Sequence, residues 1–528
     1  MKEKINKFIH SKNFIIILIL LLISLVGIVG TYAWFTWSST ENTSLTLTIG
    51  KLADVTFDNG NDINITNLAP VFNYTDGEKT TFSINNKDTT GVTISYSVKL
   101  NITTIASELV SSSLKYKLMS NGAEIGSGDF SSASSGKSLT IGRGTLSSGI
   151  TDFDFYIYID GNIENDPNMM NKTLIGTITV DVYEGAPSLI TLNNLGLSVD
   201  TSHTPDFTTV SGNNGVKVDY NTGDALATGV GDSTNGIYEA EDDFGTSYYF
   251  RGAVENNYVY FAKNWWQIVR INGDGTIRMV TADIIEHSPF NNSYDDNAYV
   301  GYMYGTAGSS TYEKTHANTN NSTIKTYIDA WYQDNLSSYS SYIADAIYCN
   351  DRSVVTVNDI GGLTLIGNGA GMEESAYASF NRTYVDHSPS LKCSNKNDRF
   401  TVSSSLGNEA LTYPIGLLTS DEVVMGGGVG FDPPTMTYIE NENYYLYKNN
   451  FYWTMTPFDF AGGGARVDSV YRDGRLKDRS VDDNRGVRPV VSLKSDAITG
   501  GSGTKEKPFY VNEVPSGSYV PRDDTEPV

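Results

Sequence analysis

The chain has 528 residues, and at roughly 150 residues per domain that length points to about three globular units rather than one. Hydrophobic residues make up 39%, aromatics 12% and charged residues 19%, a mixture that can bury cores and excludes a wholly disordered or collagen-like chain. Lys and Arg total 37 against 61 Asp and Glu, a formal net charge of −24, and so acidic a surface repels phosphate backbones and counts against nucleic acid as a partner. With 34 Tyr, 50 Gly and only 15 Pro, and long stretches rich in Thr, Ser, Asn and Val, the composition reads as β-dominated structure with polar turns.

The N-terminus comes first. Lys2, Lys4, Lys7 and Lys12 precede an apolar run from Phe14 to Gly30, broken only by Ser24. This is a positive n-region followed by an h-region or a short spanning helix, so everything after Thr31 is expected outside the membrane. Length alone does not decide between a signal peptide and an anchor for residues 1–33. The next residues are Thr31-Tyr32-Ala33-Trp34-Phe35-Thr36, a Ser/Thr-rich stretch and Leu47-Thr48-Ile49-Gly50-Lys51-Leu52. This resembles the signal region and first strand of the camelysin and TasA-like surface proteins of Gram-positive bacteria. The resemblance implies signal cleavage after Ala33 and an extracellular protein, at the cell surface of a Gram-positive-type bacterium, able to join a fibre or biofilm matrix. If the segment stays uncleaved, Tyr32, Trp34 and Trp37 form the aromatic belt of a transmembrane anchor and residues 14–30 hold the chain to the membrane.

From Leu45 to about Glu184 the pattern is strand after strand. Val92–Ile105, Phe153–Ile159 and Leu174–Val182 each alternate apolar and polar residues between Gly, Asn, Asp or Ser. Half-buried strands must cover their apolar faces with another sheet, so residues 34–185 are expected to form a β-sandwich of jelly-roll or immunoglobulin-like type. The segment holds no His, no Cys and no acidic pair at ligand spacing, which suits a structural or assembly domain, with edge-strand addition as the route to self-assembly. Residues 186–236 lose the alternation and turn rich in Gly, Asn, Thr and Asp, as a connector or a loosely ordered β-extension does. Asp219, Asp224 and Asp232 lie too far apart for one calcium loop.

At Gly236 the pattern changes again. Trp265–Ile271 and Thr276–Val280 flank Asn272-Gly273-Asp274-Gly275 and predict a hairpin. Ile324, Tyr327, Ile328 and Trp331 recur at helical spacing, with a second helical piece expected around Tyr342 to Ile347; the stripe reads as a helix packed on a sheet. Cys349 and Cys393 are the only two cysteines. Outside the cytoplasm such a pair reads as one structural disulfide rather than a zinc site, which needs further ligands.

The C-terminal part carries most information. Tyr452-Trp453-Thr454-Met455-Thr456-Pro457 is followed by Ala465–Val470, the turn Asp473-Gly474, Leu476, and Gly486-Val487-Arg488-Pro489-Val490-Val491-Ser492-Leu493. This order resembles the C-type-lectin-like fold, in the branch with formylglycine-generating-enzyme-like domains and the variable proteins of diversity-generating retroelements. The resemblance covers about residues 237–497. It implies an α+β C-type-lectin-like domain whose last strands pin a small sheet and leave the preceding segment exposed to ligand and open to sequence diversification.

The residues themselves agree. Between Phe458 and Arg485 the apolar anchors Val467, Val470, Leu476 and Val481 are sparse. Around them sit Arg466, Asp468, Tyr471, Arg472, Arg475, Lys477, Asp478, Arg479, Asp482, Asp483 and Arg485. So many charges are expected to face solvent, and exposed Tyr and Arg are the types that supply binding energy at interfaces. These eleven are the candidate ligand-binding residues.

No catalytic constellation accompanies them. The cysteines lie upstream of the C-terminal strands, and His203, His287, His316 and His387 are isolated and expected at the surface or in loops. Lectin calcium tripeptides, a nucleophile elbow and a phosphate loop do not occur. Residues 498–528 read as a flexible Gly/Pro-rich tail. The reading is therefore a multidomain, β-dominated surface binding and adhesion protein, not an enzyme, with no metal and no cofactor, whose C-terminal domain takes a protein or glycan. Its alternatives are a structural biofilm or fibre subunit and a surface enzyme of the formylglycine-generating-enzyme-like class.

Overall fold

The computed structural model describes residues 44–49, 53–58, 63–66, 68–87, 94–131, 133–162, 167–184, 186–360, 363–403 and 406–521. The expected signal or anchor at residues 1–33, with its junction at Ala33, lies outside the described residues. Strand makes up 39% and helix 14%, so the β-dominated, multidomain class holds. The chain divides into two compact units, Met1–Glu184 and Gly185–Val528. No helix among the described residues is long and apolar enough to cross a membrane.

The first unit is a β-sandwich. One sheet runs in the order Ser44–Ile49, Ala53–Asp58, Glu78–Asn86, Gly149–Asp160, Leu114–Ser120, Ala123–Asp129, and the other Ile63–Ile65, Leu174–Glu184, Ile94–Ile105, Ser138–Leu146. The two-residue period does the sorting: along Leu114–Ser120 every second side chain is buried. Phe82, Ile84, Leu118 and Phe155 of the first sheet meet Val98, Leu100 and Ile178 of the second in one core. Phe82 and Phe153 are direct cross-strand partners, and their rings stack at 4.8 Å, the pairing that stabilises antiparallel neighbours.

In the second unit, a main sheet orders Gly236–Asp242, Gly245–Arg251, Asn264–Ile271, Ile277–Thr281, Val490–Leu493 and Ile343–Ala344. A second sheet orders Glu286–Ser288, Arg485–Val487, Tyr452–Ala461, Ser375–Tyr377 and Val354–Val355; from Tyr452–Ala461 the strands Gly464–Val470 and then Leu476–Ser480 extend to one side. The expected hairpin is present, Asn264–Ile271 against Ile277–Thr281. Helix Thr323–Asn335 buries Ile324, Ile328 and Tyr332 and starts at Ser322, whose hydroxyl accepts from the Lys325 amide. The expected second helical piece is not there: Ser337–Tyr342 is a 3-10 turn, and Ile343–Ala344 is a strand paired with Leu493 and Ser492. Ile343 is drawn into the sheet by that distant partner, which local periodicity does not register.

Two stretches expected to be loosely held are packed into this unit. Residues 186–236 supply helix Pro187–Asn194 and the strands Gly215–Asp219 and Ala225–Val230, the former pairing with Thr437–Glu440. Beyond residue 498, Phe509–Tyr510 adds a parallel strand to Tyr258–Phe261, and Phe509, Val511 and Tyr519 are buried. Sparse single apolar residues anchor both stretches, too few to make a periodic signal.

The chain end ties the two sheets together. Arg485–Val487 lies beside Tyr452 and Glu286–Ser288, and three residues later Val490–Leu493 enters the main sheet beside Ile277–Thr281. Arg488, at the crossing, is fully buried and donates to the carbonyls of Thr281 at 2.8 Å and Leu446 at 3.0 Å. Its guanidinium also lies over the Tyr452 ring. Trp453, on the neighbouring strand, is fully buried and donates its indole N–H to the Ser288 carbonyl at 2.8 Å, satisfying the one polar atom it brings into the core.

Candidate functional site

The eleven candidate residues lie on or beside the three-stranded extension Tyr452–Ala461, Gly464–Val470 and Leu476–Ser480. Gly474 makes the turn between the last two, at φ 86°; a Cβ there would stand 1.8 Å from the Asn441 carbonyl oxygen, so both conformation and space require glycine. The register pairs Val467 with Arg479, Asp468 with Asp478, Ser469 with Lys477 and Val470 with Leu476. Strand alternation then sorts the charges onto two faces.

One face holds Arg466, Asp468 and Asp478. Arg466 grips Asp459 with two nitrogens, at 2.6 and 2.5 Å, and donates to Asp478 at 2.7 Å. Asp468 is fully buried, contrary to its expected place at the surface. The Ser420 hydroxyl donates to it at 2.5 Å and the Tyr384 hydroxyl at 2.6 Å. Burial pushes its pKa up to about 7 against those two hydrogen bonds. A core accepts a polar group that is fully hydrogen-bonded, and no count of nearby charges reveals that partnership in the sequence.

The other face holds Tyr471, Arg475, Lys477 and Arg479. The Tyr471 ring has Arg479 at 4.9 Å, Lys477 at 5.2 Å and Arg475 at 5.3 Å from its centroid. Arg475 is also buried rather than exposed: it lies 3.5 Å from the Tyr438 ring centroid, with Asp473 at 3.2 Å. Burial, then the neighbouring Arg479 and Arg475, hold Lys477 below the usual ammonium range. Arg472 and Asp482 are exposed, while Arg485 is half-buried over the Phe451 ring at 4.4 Å and pairs with Asp483 at 2.8 Å. Phe451 meets Tyr471 edge-on at 4.3 Å.

Residues far away in sequence complete this face. Tyr220, 45% exposed, packs on Phe431 at 4.5 Å and lies 5.9 Å from the Lys477 ammonium. Tyr438 arrives on the strand Thr437–Glu440, paired with the stretch that precedes Tyr220. The pairing of Gly215–Asp219 with Thr437–Glu440 brings them here, and neither segment carries a motif that announces it.

A cavity of about 30 Å³ lies elsewhere in the unit, lined by Arg270, Arg278, Arg382, Asp351, Glu422 and the cysteines, among others. It has room for one or two waters. Most of its charges are engaged with one another: Arg270 pairs with Asp242 at 2.8 Å and Glu422 at 3.1 Å, Arg278 with Glu422 at 2.5 Å, and Arg382 with Asp351 at 2.6 Å and Asp421 at 3.0 Å, while Asp243 pairs outside the lining with Arg399 at 3.0 Å. Burial alone would raise Glu422, but Arg278 and Arg270 hold it below the usual carboxylate range. Cys349 and Cys393 are joined, as expected, with their Cα atoms 5.7 Å apart. His316, expected at the surface, is fully buried, its Nε2 2.9 Å from the Gly369 carbonyl oxygen; burial and the nearby Arg352 push its pKa down to about 3, so it is held neutral. No group of three His, Cys, Asp or Glu among the described residues is placed to hold a metal ion.

No family model matches the chain, and no curated protein matches it. Among solved structures it is similar to a family 35 carbohydrate-binding module from an environmental isolate, 11% identical over 28% of this chain and 93% of that one, with a TM-score of 0.16. It is also similar to the GH26-CBM35 β-(1,4)-mannanase of Podospora anserina, 14% identical over 29% of this chain and 32% of that one, TM-score 0.17. A third is the C-terminal domain of EclA, a sugar-binding protein, 11% identical over 28% and 83%, TM-score 0.12. TM-scores of this size assign neither a fold family nor a ligand.

Proposed function

We propose that the chain is a surface-displayed binding protein of a Gram-positive-type bacterium, with a β-sandwich as stalk or assembly domain and a C-type-lectin-like second unit that holds a macromolecular ligand. The observation that carries this reading is the face around Tyr471. It gathers Tyr471, Lys477 and Arg479, with Tyr220 beside Lys477, on and next to the strand pair Gly464–Val470 and Leu476–Ser480, whose other side is locked to the core through Asp468, Ser420 and Tyr384. Amphipathic rings and cations on a rigid scaffold bind with little ordering cost. Export and surface attachment rest on the Lys-flanked apolar run and the aromatic junction at Ala33. Binding is favoured over catalysis because the buried charged groups around the cavity, Arg270, Arg278, Asp242, Asp421 and Glu422, are engaged in ion pairs.

The test is ligand capture by the full chain from a host-protein pull-down and a glycan array. Replacing Tyr471, Arg472 and Arg479 together with Ala should abolish capture, since such residues can each contribute about 2 kcal/mol or more to binding, while the unit stays folded: exposed Arg472 alters stability by about 0.5 kcal/mol and the half-buried Tyr471 and Arg479 by about 1 kcal/mol each. Trp453→Ala should do the reverse and destabilise the unit by about 3 to 5 kcal/mol through the cavity it leaves. If the triple variant captures ligand as well as the parent, this face is not the binding face.

A further inference from the structure

Lys477 and Arg479 stand two residues apart on one strand face, and no ion pair joins either to a carboxylate among the described residues. The nearest acids are engaged elsewhere: Asp473 is beside Arg475 at 3.2 Å, and Asp478 points to the other face, where Arg466 donates to it at 2.7 Å. The like charges are held together by the Tyr471 ring, whose π electrons attract both. The Arg479 Nε is buried and has no hydrogen-bond partner. Tyr220, 45% exposed, lies 5.9 Å from the same Lys477 ammonium, so the face combines a part-exposed ring, an ammonium, a second ring and a guanidinium.

From this arrangement we infer that the ligand is an acidic glycan, whose carboxylate or sulfate groups pair with Lys477 and Arg479 while a sugar ring lies on Tyr220. The inference rests on the binding-face reading above and specifies its ligand class. Guanidinium presents a planar fork of donors that matches carboxylate and sulfate oxygens, and an anion placed here also relieves the repulsion between the two cations. A sugar ring offers a flat C–H face to an aromatic ring and its charge at the rim, the spacing that Tyr220 and Lys477 present. A run of acidic residues supplies the charge but no flat apolar face beside it. The rest of the chain carries an excess of negative charge, so a polyanion is repelled from most of the surface and directed to this face.

The probes are dextran sulfate, polygalacturonate, uncharged dextran and poly-glutamate, each titrated against the full chain. Dextran sulfate and polygalacturonate should bind and dextran should not. K477E/R479E should weaken binding at least tenfold, and Y220A about threefold or more, with the melting temperature held. Should the charge reversal unfold the unit, K477Q/R479Q is the replacement and should weaken binding in the same sense. Equal binding of dextran and dextran sulfate overturns the acidic requirement, and poly-glutamate bound as tightly as polygalacturonate makes the occupant an acidic peptide. Binding of dextran sulfate unchanged by both charge variants places it elsewhere on the chain, and absence of binding by both charged glycans overturns the inference outright. If the Tyr471, Arg472 and Arg479 triple variant loses a ligand that is uncharged, the face stands and only its acidic specificity fails.

Discussion

Asp468 receives two hydroxyl hydrogen bonds in a fully buried position and has no ion pair with a cation among the described residues, so its carboxyl is easier to protonate in the folded chain than in the unfolded one. With the folded pKa raised to about 7, the folded state binds the extra proton between roughly pH 4 and 7. Stability must then fall as pH rises through that window, by at most about 1.4 kcal/mol per pH unit from this group. Asp468→Asn keeps the shape of the neutral acid, accepting from one hydroxyl and donating to the other. Its melting temperature should therefore depend less on pH between 5 and 8 than the parent's, and an unchanged slope would mean that Asp468 is not the titrating group. At this scale the sequence shows which residues are charged but not which are satisfied. Asp468 and Arg475 sit among exposed charges in the chain, and the partners that allow their burial, Ser420, Tyr384 and Tyr438, come from segments 30 or more residues away.

At the scale of elements, hairpins and long strands were legible because period-2 alternation and glycine turns are local. Asn264–Ile271 with Ile277–Thr281 and the sandwich strands Ile94–Ile105 and Gly149–Asp160 lie where alternation places them, whereas Tyr452–Ala461 is buried at nine consecutive positions and was expected from the fold resemblance, not from alternation. Short strands such as Ile343–Ala344 and Phe509–Tyr510 were not, since two residues carry no period and exist only through their partners. The disulfide was legible from the cysteine count and the expected compartment. It closes a loop with a sequence separation of 44 residues, and constraining that loop in the unfolded chain is worth about 4 kcal/mol in the chain-entropy model. Free-thiol labelling of the unfolded, unreduced chain should find neither cysteine. The Cys349→Ser, Cys393→Ser double variant should melt earlier by a comparable free energy; two labelled thiols in the parent would break the assignment.

At the scale of the whole molecule, the change of pattern near residue 185 falls where the chain divides into two compact units, between Glu184 and Gly185, and each unit has its own apolar core. Calorimetry of the full chain should accordingly resolve two transitions, of which a reducing agent lowers only the one belonging to the second unit, where both cysteines lie. A single transition that shifts as a whole would show that the two cores unfold together. The extent of the second unit was legible only in part, because the packing of residues 186–236 and of Phe509 and Tyr519 depends on single anchors rather than on a repeated pattern. The late arrival of Val490–Leu493 also sets a clock for this unit. Val280 waits for Val490, and at about 5 to 20 residues per second the ribosome needs about 10 to 40 s to supply it. Throughout that interval Ile277–Thr281 has one edge without its neighbour, and an apolar strand edge left open is an invitation to pair with another nascent chain. A stop codon placed before residue 490 makes the interval permanent, so truncated chains should accumulate as aggregates rather than as a shortened but folded domain.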